Sequence, residues 1–289
     1  MSSLTLGIVA GLIAALGFGV GDYLAAQVSR QFSAIRAVFW TQLLELGLIT
    51  VIFVVLGWHW EFKPAIIGLA LAYGVVFSIG LTSAWQAFRI GPVSLASAFV
   101  SGYALVVAII ALTLLHEHLA FKQALAIVIM VGGAILCSFR QRVKLAGSFW
   151  RQTVILYALV GALGIGGSLI IVDLMVRQVG WQSALLMQGA GALICMGVLL
   201  KLHGSAFVSE GRLPINPTVI MCAVFLELGA IMLAYGFSTS LVAVVAPVAS
   251  VSPLITVALS LISFKERLSR YQTAGIGGII GGLVLLAIR

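Results

Sequence analysis

The chain has 289 residues, of which 62% are hydrophobic and 8% charged, against about 25% charged in an ordinary soluble domain. That balance excludes a water-soluble globular fold. The formal charge of +8 comes from Lys and Arg residues spread singly or in small groups between apolar runs, so it points to topogenic charges and excludes a nucleic-acid partner.

Apolar runs of about 20 residues recur along the chain, each long enough to cross a hydrocarbon core of roughly 30 Å as a helix. Helices are the natural form, because backbone groups in lipid need partners within their own segment. The first run covers residues 4–27; no Lys or Arg precedes it and it is too long for a cleaved leader, so it reads as a span. Further spans are expected at 37–56, 65–88, 92–115 and 121–139. A polar linker at 140–151 follows, then spans at 153–176, 183–202, 218–238, 241–264 and 271–288. Cys137, Cys195 and Cys222 lie inside apolar runs, where a thiol behaves as a small hydrophobe, so no disulfide framework is expected.

The two halves resemble each other. A shift of 149 residues lays Phe88 on Phe237, Glu117 on Glu266, Gln123 on Gln272, Gly132-Gly133 on Gly281-Gly282 and Arg140 on Arg289. Nearer the start of each half, a shift of 147 sets Ala15-Leu16-Gly17 on Ala162-Leu163-Gly164 and Arg30-Gln31 on Arg177-Gln178. The expected fold is therefore an all-α integral membrane protein of ten transmembrane helices, built as two inverted five-helix repeats at 1–139 and 153–289 around a basic linker at 140–152. An odd number of spans per repeat turns the second copy upside down, which is the architecture of alternating-access transporters. Loops on the side of the termini carry Lys63, Lys122, Arg177 and Arg289, and the other twelve basic residues lie opposite, so the charge bias places both termini outside the cytoplasm.

The stretch Leu114-Leu115-His116-Glu117-His118-Leu119, with Gln123 and Gly132-Gly133, resembles the signature between the fourth and fifth helices of the drug/metabolite transporter superfamily, EamA-type. The second copy is closer: Pro253, thirteen residues ahead of Glu266 in Lys265-Glu266-Arg267-Leu268, then Gln272, Gly275 and Gly281-Gly282. The resemblance covers nearly the whole chain. It implies export of amino acids, metabolites, nucleotide sugars or drugs, often with proton exchange, in a prokaryotic cytoplasmic (inner) membrane and with the termini on the cytoplasmic side, against the charge bias. Where that family has proline in its fourth helix this chain has Ala104, with Gly102 nearby, which leaves a kink there open; Pro247 and Pro253 can bend the ninth.

Ionisable groups inside a span are costly and mark function. Asp22, Glu45, Asp173 and Glu227 fall in that class. On the third span Ser78, Thr82, Gln86 and Arg89 follow a helical step, and on the eighth Glu227, Ile231, Tyr235 and Ser238 do the same at equivalent repeat positions. These stripes place a substrate cavity between the third and eighth helices, an arrangement the resemblance also implies. Ser94, Ser97 and Ser101 are expected to turn toward it, although small residues also serve close helix packing. Glu227 is the leading candidate for holding a proton and a cationic solute in turn. Glu45 has Thr41 and Gln42 one turn away, so a hydrogen-bond cluster competes with a transport role. Asp22 adjoins Gly17, Gly19 and Gly21, which read as a packing face or a hinge. Asp173 reads as an ion pair with Arg177. Tyr73, Trp85, Tyr103 and Tyr235 can form an aromatic cage for a cation. Trp58, His59 and Trp60 belong at the membrane interface. Pro253, Glu117 and Glu266 are expected to act as gates or structural caps.

No catalytic residue, metal or cofactor is expected, the coupling ion H+ apart. The expected partners are a small solute and the bilayer, with a monomer sufficient and a homodimer compatible. Two rivals come from other classes. Gly19-Val20-Gly21-Asp22 matches the G-x-G-D pattern of intramembrane aspartyl proteases, but that chemistry needs two aspartates sharing a proton, and neither a Tyr-Asp pair nor Pro-Ala-Leu accompanies it. A non-transporting receptor or scaffold would have no use for halves of opposite orientation. Within transport, a nucleotide sugar calls for basic residues in the cavity, and only Arg89 lies near it.

Overall fold

The computed structural model describes residues 3–91, 93–117, 120–138, 147–204, 215–264 and 270–287, and every regular element among them is an α-helix. In chain order these are α1 (Ser3–Phe32), α2 (Ala34–Val55), α3 (Ala65–Ile90), α4 (Val93–Val100), α5 (Tyr103–Thr113) and α6 (Phe121–Ser138). The remainder are α7 (Gly147–Leu202), α8 (Pro217–Thr239), α9 (Val242–Ala249), α10 (Ser252–Phe264) and α11 (Arg270–Ala287). Helix starts carry ordinary local signals: Asn216 caps α8 by accepting from Val219 N–H at 3.0 Å, with Pro217 at the first helical position.

Several helices overrun the hydropathy limits. α1 continues five residues past 27, and α7 begins at Gly147, inside the segment expected as linker. Hydropathy marks where lipid ends. A helix ends only where its hydrogen-bond ladder does, and residues 147–151 contain no proline to stop it.

The 56 residues of α7 break once, at Gly180 (φ 74°, ψ 160°), a conformation open almost solely to glycine. Packing against α3 shows that the chain reverses there. Along the first arm, Gly161 lies against Ala84, Gly164 against Gly80 and Val154 against Gly91, so the two helices run in opposite senses. Along the second arm, Ala192 O accepts from Ser78 Oγ and Met196 Sδ from Thr82 Oγ1, so the sense is parallel. The two arms therefore form a hairpin that embraces α3.

The α4–α5 and α9–α10 pairs are interrupted helices, and the interruptions fall 149 residues apart, at Ser101-Gly102 and Ser250-Val251. At each, a backbone N–H reaches only three residues back: Gly102 to Phe99 O at 3.1 Å and Val251 to Val248 O at 3.3 Å. Pro247 lies inside the second break's approach. The first break forms without proline, at a Ser/Gly pair, which settles the question left by Ala104.

Repeat symmetry is written into the closest contacts. A Cβ on Gly17 would lie 2.6 Å from Phe225 O and 2.7 Å from Gly229 N; one on Gly164 would lie 2.9 Å from Val76 O and 2.5 Å from Gly80 Cα. These are the same contact in the two repeat copies. A Cβ on Gly133 would lie 2.7 Å from Ile279 N and one on Gly282 3.1 Å from Met130 N, again a related pair, between α6 and α11. Gly17, Gly19 and Gly21 are thus a packing face. Apolar side chains stay on the outside, Val54 at 72%, Leu156 at 63% and Ile109 at 62% exposure among them, as a surface facing lipid requires. Among the described residues α1, α2, α3, 152–202 of α7 and α8 are long and apolar enough to cross a membrane, and shorter apolar helices cover 103–113, 121–136, 242–256 and 273–286.

Candidate functional site

A cavity of about 130 Å³ lies at the centre of the bundle. Its walls come from α1, α2, α3, the α4–α5 and α9–α10 interruptions, both arms of α7 and α8, while none of the described side chains of α6 and α11 joins the lining. Both repeats therefore build it. Phe18 and Asp22 enter from α1, Gln42 and Glu45 from α2, and Leu226, Glu227, Ala230, Leu233 and Ala234 from α8.

Three carboxylates line this one space: Asp22, Glu45 and Glu227. Glu45 Oε2 accepts a hydrogen bond from Gln42 Nε2, so the expected local cluster exists, but Thr41 is not part of it; its hydroxyl donates back to Ala37 O at 2.7 Å. Glu45 Oε1 and Glu227 Oε1 are buried with no partner, as are Trp85 Nε1 and Gln188 Oε1 on the same walls. Tyr73, stacked on Phe77 at 4.9 Å between ring centres, joins Trp85 and Tyr103 to form an aromatic wall.

The helical faces expected from polar spacing are only half realised. On α3 the cavity face is Tyr73, Phe77, Leu81, Ala84, Trp85 and Phe88. Ser78 and Thr82 instead turn to the second arm of α7, where Ser78 Oγ donates to Ala192 O at 3.4 Å and Thr82 Oγ1 to Met196 Sδ at 3.6 Å. Gln86 and Arg89 are likewise outside the lining. On α8 the face turns off the expected stripe beyond Glu227: Tyr235 leaves the cavity and packs edge-on to Trp181 at 5.8 Å, and Ser238 Oγ donates to Tyr235 O. Small hydroxyls are satisfied by a neighbouring helix at close range, so polarity alone does not tell a packing face from a cavity face. Ser101 Oγ, at the interruption, donates back to Ser97 O in α4, and the Ser94 side chain lies outside the described residues. Gln188, on the second arm of α7, lines the cavity and was missed; a lone amide in the middle of an apolar run was the available signal.

Asp173 and Glu117 meet elsewhere, at the Gly180 end of the bundle. Arg177 Nε donates to Asp173 Oδ2 at 2.7 Å and Arg177 Nη2 to Glu117 Oε1 at 2.6 Å. Glu117 Oε2 also accepts from Ala243 N–H at 3.1 Å, in the first turn of α9, where a carboxylate is favoured by the helix dipole. Glu117 thus accepts from a backbone N–H at the start of another helix. Pro253 is buried beside Ser252 at the α9–α10 interruption; Glu266 lies outside the described residues. Around the same end Trp58 packs on Trp181 at 4.9 Å, Ser183 Oγ accepts from Glu61 N–H at 3.0 Å, and Lys63 Nζ donates to Gln178 O. Of the interface trio, Trp60 is half exposed.

A family model described as the EamA-like transporter family matches residues 5–139 and again 152–288. A protein of Methanocaldococcus jannaschii described as uncharacterized is 35% identical over 98 residues, 34% of this chain and 69% of its own length. One solved crystal structure superposes with a TM-score of 0.77 over 97% of this chain and 96% of its own, at 12% identity, a likeness of fold.

Proposed function

The chain belongs to the EamA-like transporter family, and from that premise we propose that it exports a small cationic or zwitterionic solute, such as an amino acid, amine or drug-like cation, by alternating access coupled to protons. The family places it in the drug/metabolite transporter superfamily, whose members are multi-pass membrane proteins that carry small molecules; enzymatic activity is not its rule. In this reading the chain crosses a prokaryotic inner membrane ten times, residues 1–139 and 153–289 rock against each other about the linker at 140–152, and the charge bias sets both termini outside.

The observation that carries the substrate class is the lining itself. Three carboxylates and six aromatic rings converge on one cavity, and among the described residues that line it there is no Lys, Arg or His. Buried carboxylates attract a cation or a proton and repel an anion, and ring faces add attraction for a cation. A nucleotide sugar would bring phosphates to a wall with no counter-charge, since Arg89 stands outside the lining. An aspartyl protease would need Asp22 and Asp173 together, but Asp22 lines the cavity and Asp173 is tied to Arg177 beyond it.

Counter-transport in sealed proteoliposomes tests the reading. Preloaded amino acids and amines are expected to exchange against labelled external solute and to respond to an imposed pH gradient. No solute-dependent flux for any cation or amino acid would count against transport.

A further inference from the structure

At the Gly180 end one guanidinium serves two carboxylates. The Arg177 side chain is 48% exposed, while those of Asp173 and Glu117 are 0% and 3% exposed. Glu117 is doubly matched, by Arg177 and by the N–H of Ala243 at the start of α9. Asp173 has only the bond from Arg177 to Oδ2, and its Oδ1 is buried without a donor. The charges that act on Asp173 are Arg177 on its own helix and Glu117 from beyond α5. Of the other groups nearby, α9 presents a backbone N–H, His116 adjoins Glu117 in sequence, and Lys63 is turned to Gln178 O. Among the described residues Arg177, Asp173 and Glu117 thus carry one negative charge in excess when both acids are ionised, and Asp173 Oδ1 is the buried carboxylate oxygen of the cluster left without a donor.

The cluster is also a seam. Glu117 belongs to the first repeat, and Asp173, Arg177 and Ala243 to the second. Trp58 on Trp181 and Glu61 on Ser183 close the same end across the same division. The repeat-related positions at the opposite end are Ala26 and Arg30, and Arg30 donates to Phe88 O and Gly91 O at 3.3 and 3.2 Å within its own repeat. Asp173 therefore has no acidic counterpart in the first repeat, where Ala26 takes its place.

We propose that Asp173 is a proton-binding site of the closed seam: Oδ1 holds the proton while this end is shut, and gives it to solvent when Arg177 and Glu117 part. With that proton the two acids and one arginine are electrically balanced; without it a dry, unbalanced charge opposes closure. Closure is then linked to uptake of one proton, so lowering the pH shuts this end and raising it opens it. The inference goes beyond the transport reading, and its test reads the seam without any solute.

The test uses the full chain in lipid nanodiscs, with Cys137, Cys195 and Cys222 replaced by alanine and spin labels on Glu61→Cys and Ser238→Cys, one in each repeat. Double electron–electron resonance is expected to give a short and a long distance, with the short-to-long ratio falling by up to about tenfold per pH unit, the limit for one proton. Asp173→Asn is expected to hold the short distance at every pH. Glu117→Gln, which leaves Arg177 to Asp173 alone, is expected to abolish the pH response. A wild-type ratio that ignores pH, or a wild-type response surviving in either variant, overturns the proposal. A seam that responds as expected in a protein that moves no solute would instead remove the transport reading and leave Asp173 standing.

Discussion

Glu227 and Glu45 stand on helices of different repeats, yet both line one small space and each has a carboxylate oxygen without a partner. Glu227→Gln keeps the shape and removes the ionisable group. It is expected to abolish coupled transport and its pH dependence in proteoliposomes while leaving the unfolding temperature in detergent within a degree or two. Wild-type flux and pH response in that variant would sink the assignment. Gln42→Leu tests the second acid differently: Glu45 loses its donor, and a buried acceptor left without a hydrogen bond costs on the order of 1–3 kcal/mol, to be seen as a lowered midpoint in thermal unfolding. At this scale the acids and the rings Tyr73, Trp85 and Tyr103 were legible in the sequence, because a charge or a large amphipathic ring at membrane depth needs a reason. Ser78, Thr82, Gln86 and Tyr235 were not correctly readable. Their spacing defines a face of a helix, but which neighbour that face meets is set by packing.

At the scale of helices, glycine positions divide into contacts and open space. Cβ atoms on Gly17 and Gly164 would strike backbone of α8 and α3. Gly17→Val and Gly164→Val should each destabilise by about 1–3 kcal/mol, and by similar amounts, since the contacts are repeat copies. Gly132 and Gly277 have nothing within 4 Å, and alanine there should stabilise by up to about 1 kcal/mol through helix propensity. Thermal unfolding of the four variants side by side checks the contrast; equal effects at all four would refute the repeat-related packing. Gly180→Ala is expected to cost about 1–3 kcal/mol for a different reason, the positive φ that reverses α7. Hydropathy located these helices but could not see the break at Ser101-Gly102, which needs no proline and leaves the apolar run uninterrupted.

For the whole molecule, the start of α1 lies beside the end of α8, with Gly7 against Ser240 and Val245, so the first helix begins at the Gly180 end. If two five-span repeats follow one another, the C-terminus returns to that same end. Reporter fusions at the two termini are therefore expected to give the same compartment, whichever one it is, and opposite readings would refute ten spans. The sequence by itself determined the membrane class, the duplication and the approximate limits of the helices, because lipid demands long apolar runs and a copied segment keeps its register. Only the tertiary structure decided which faces enclose the cavity, that Gln188 joins it and that Glu117 reaches across the seam to Arg177 and α9. Those outcomes depend on rotation and close approach between helices distant in the chain, to which hydropathy and period are blind.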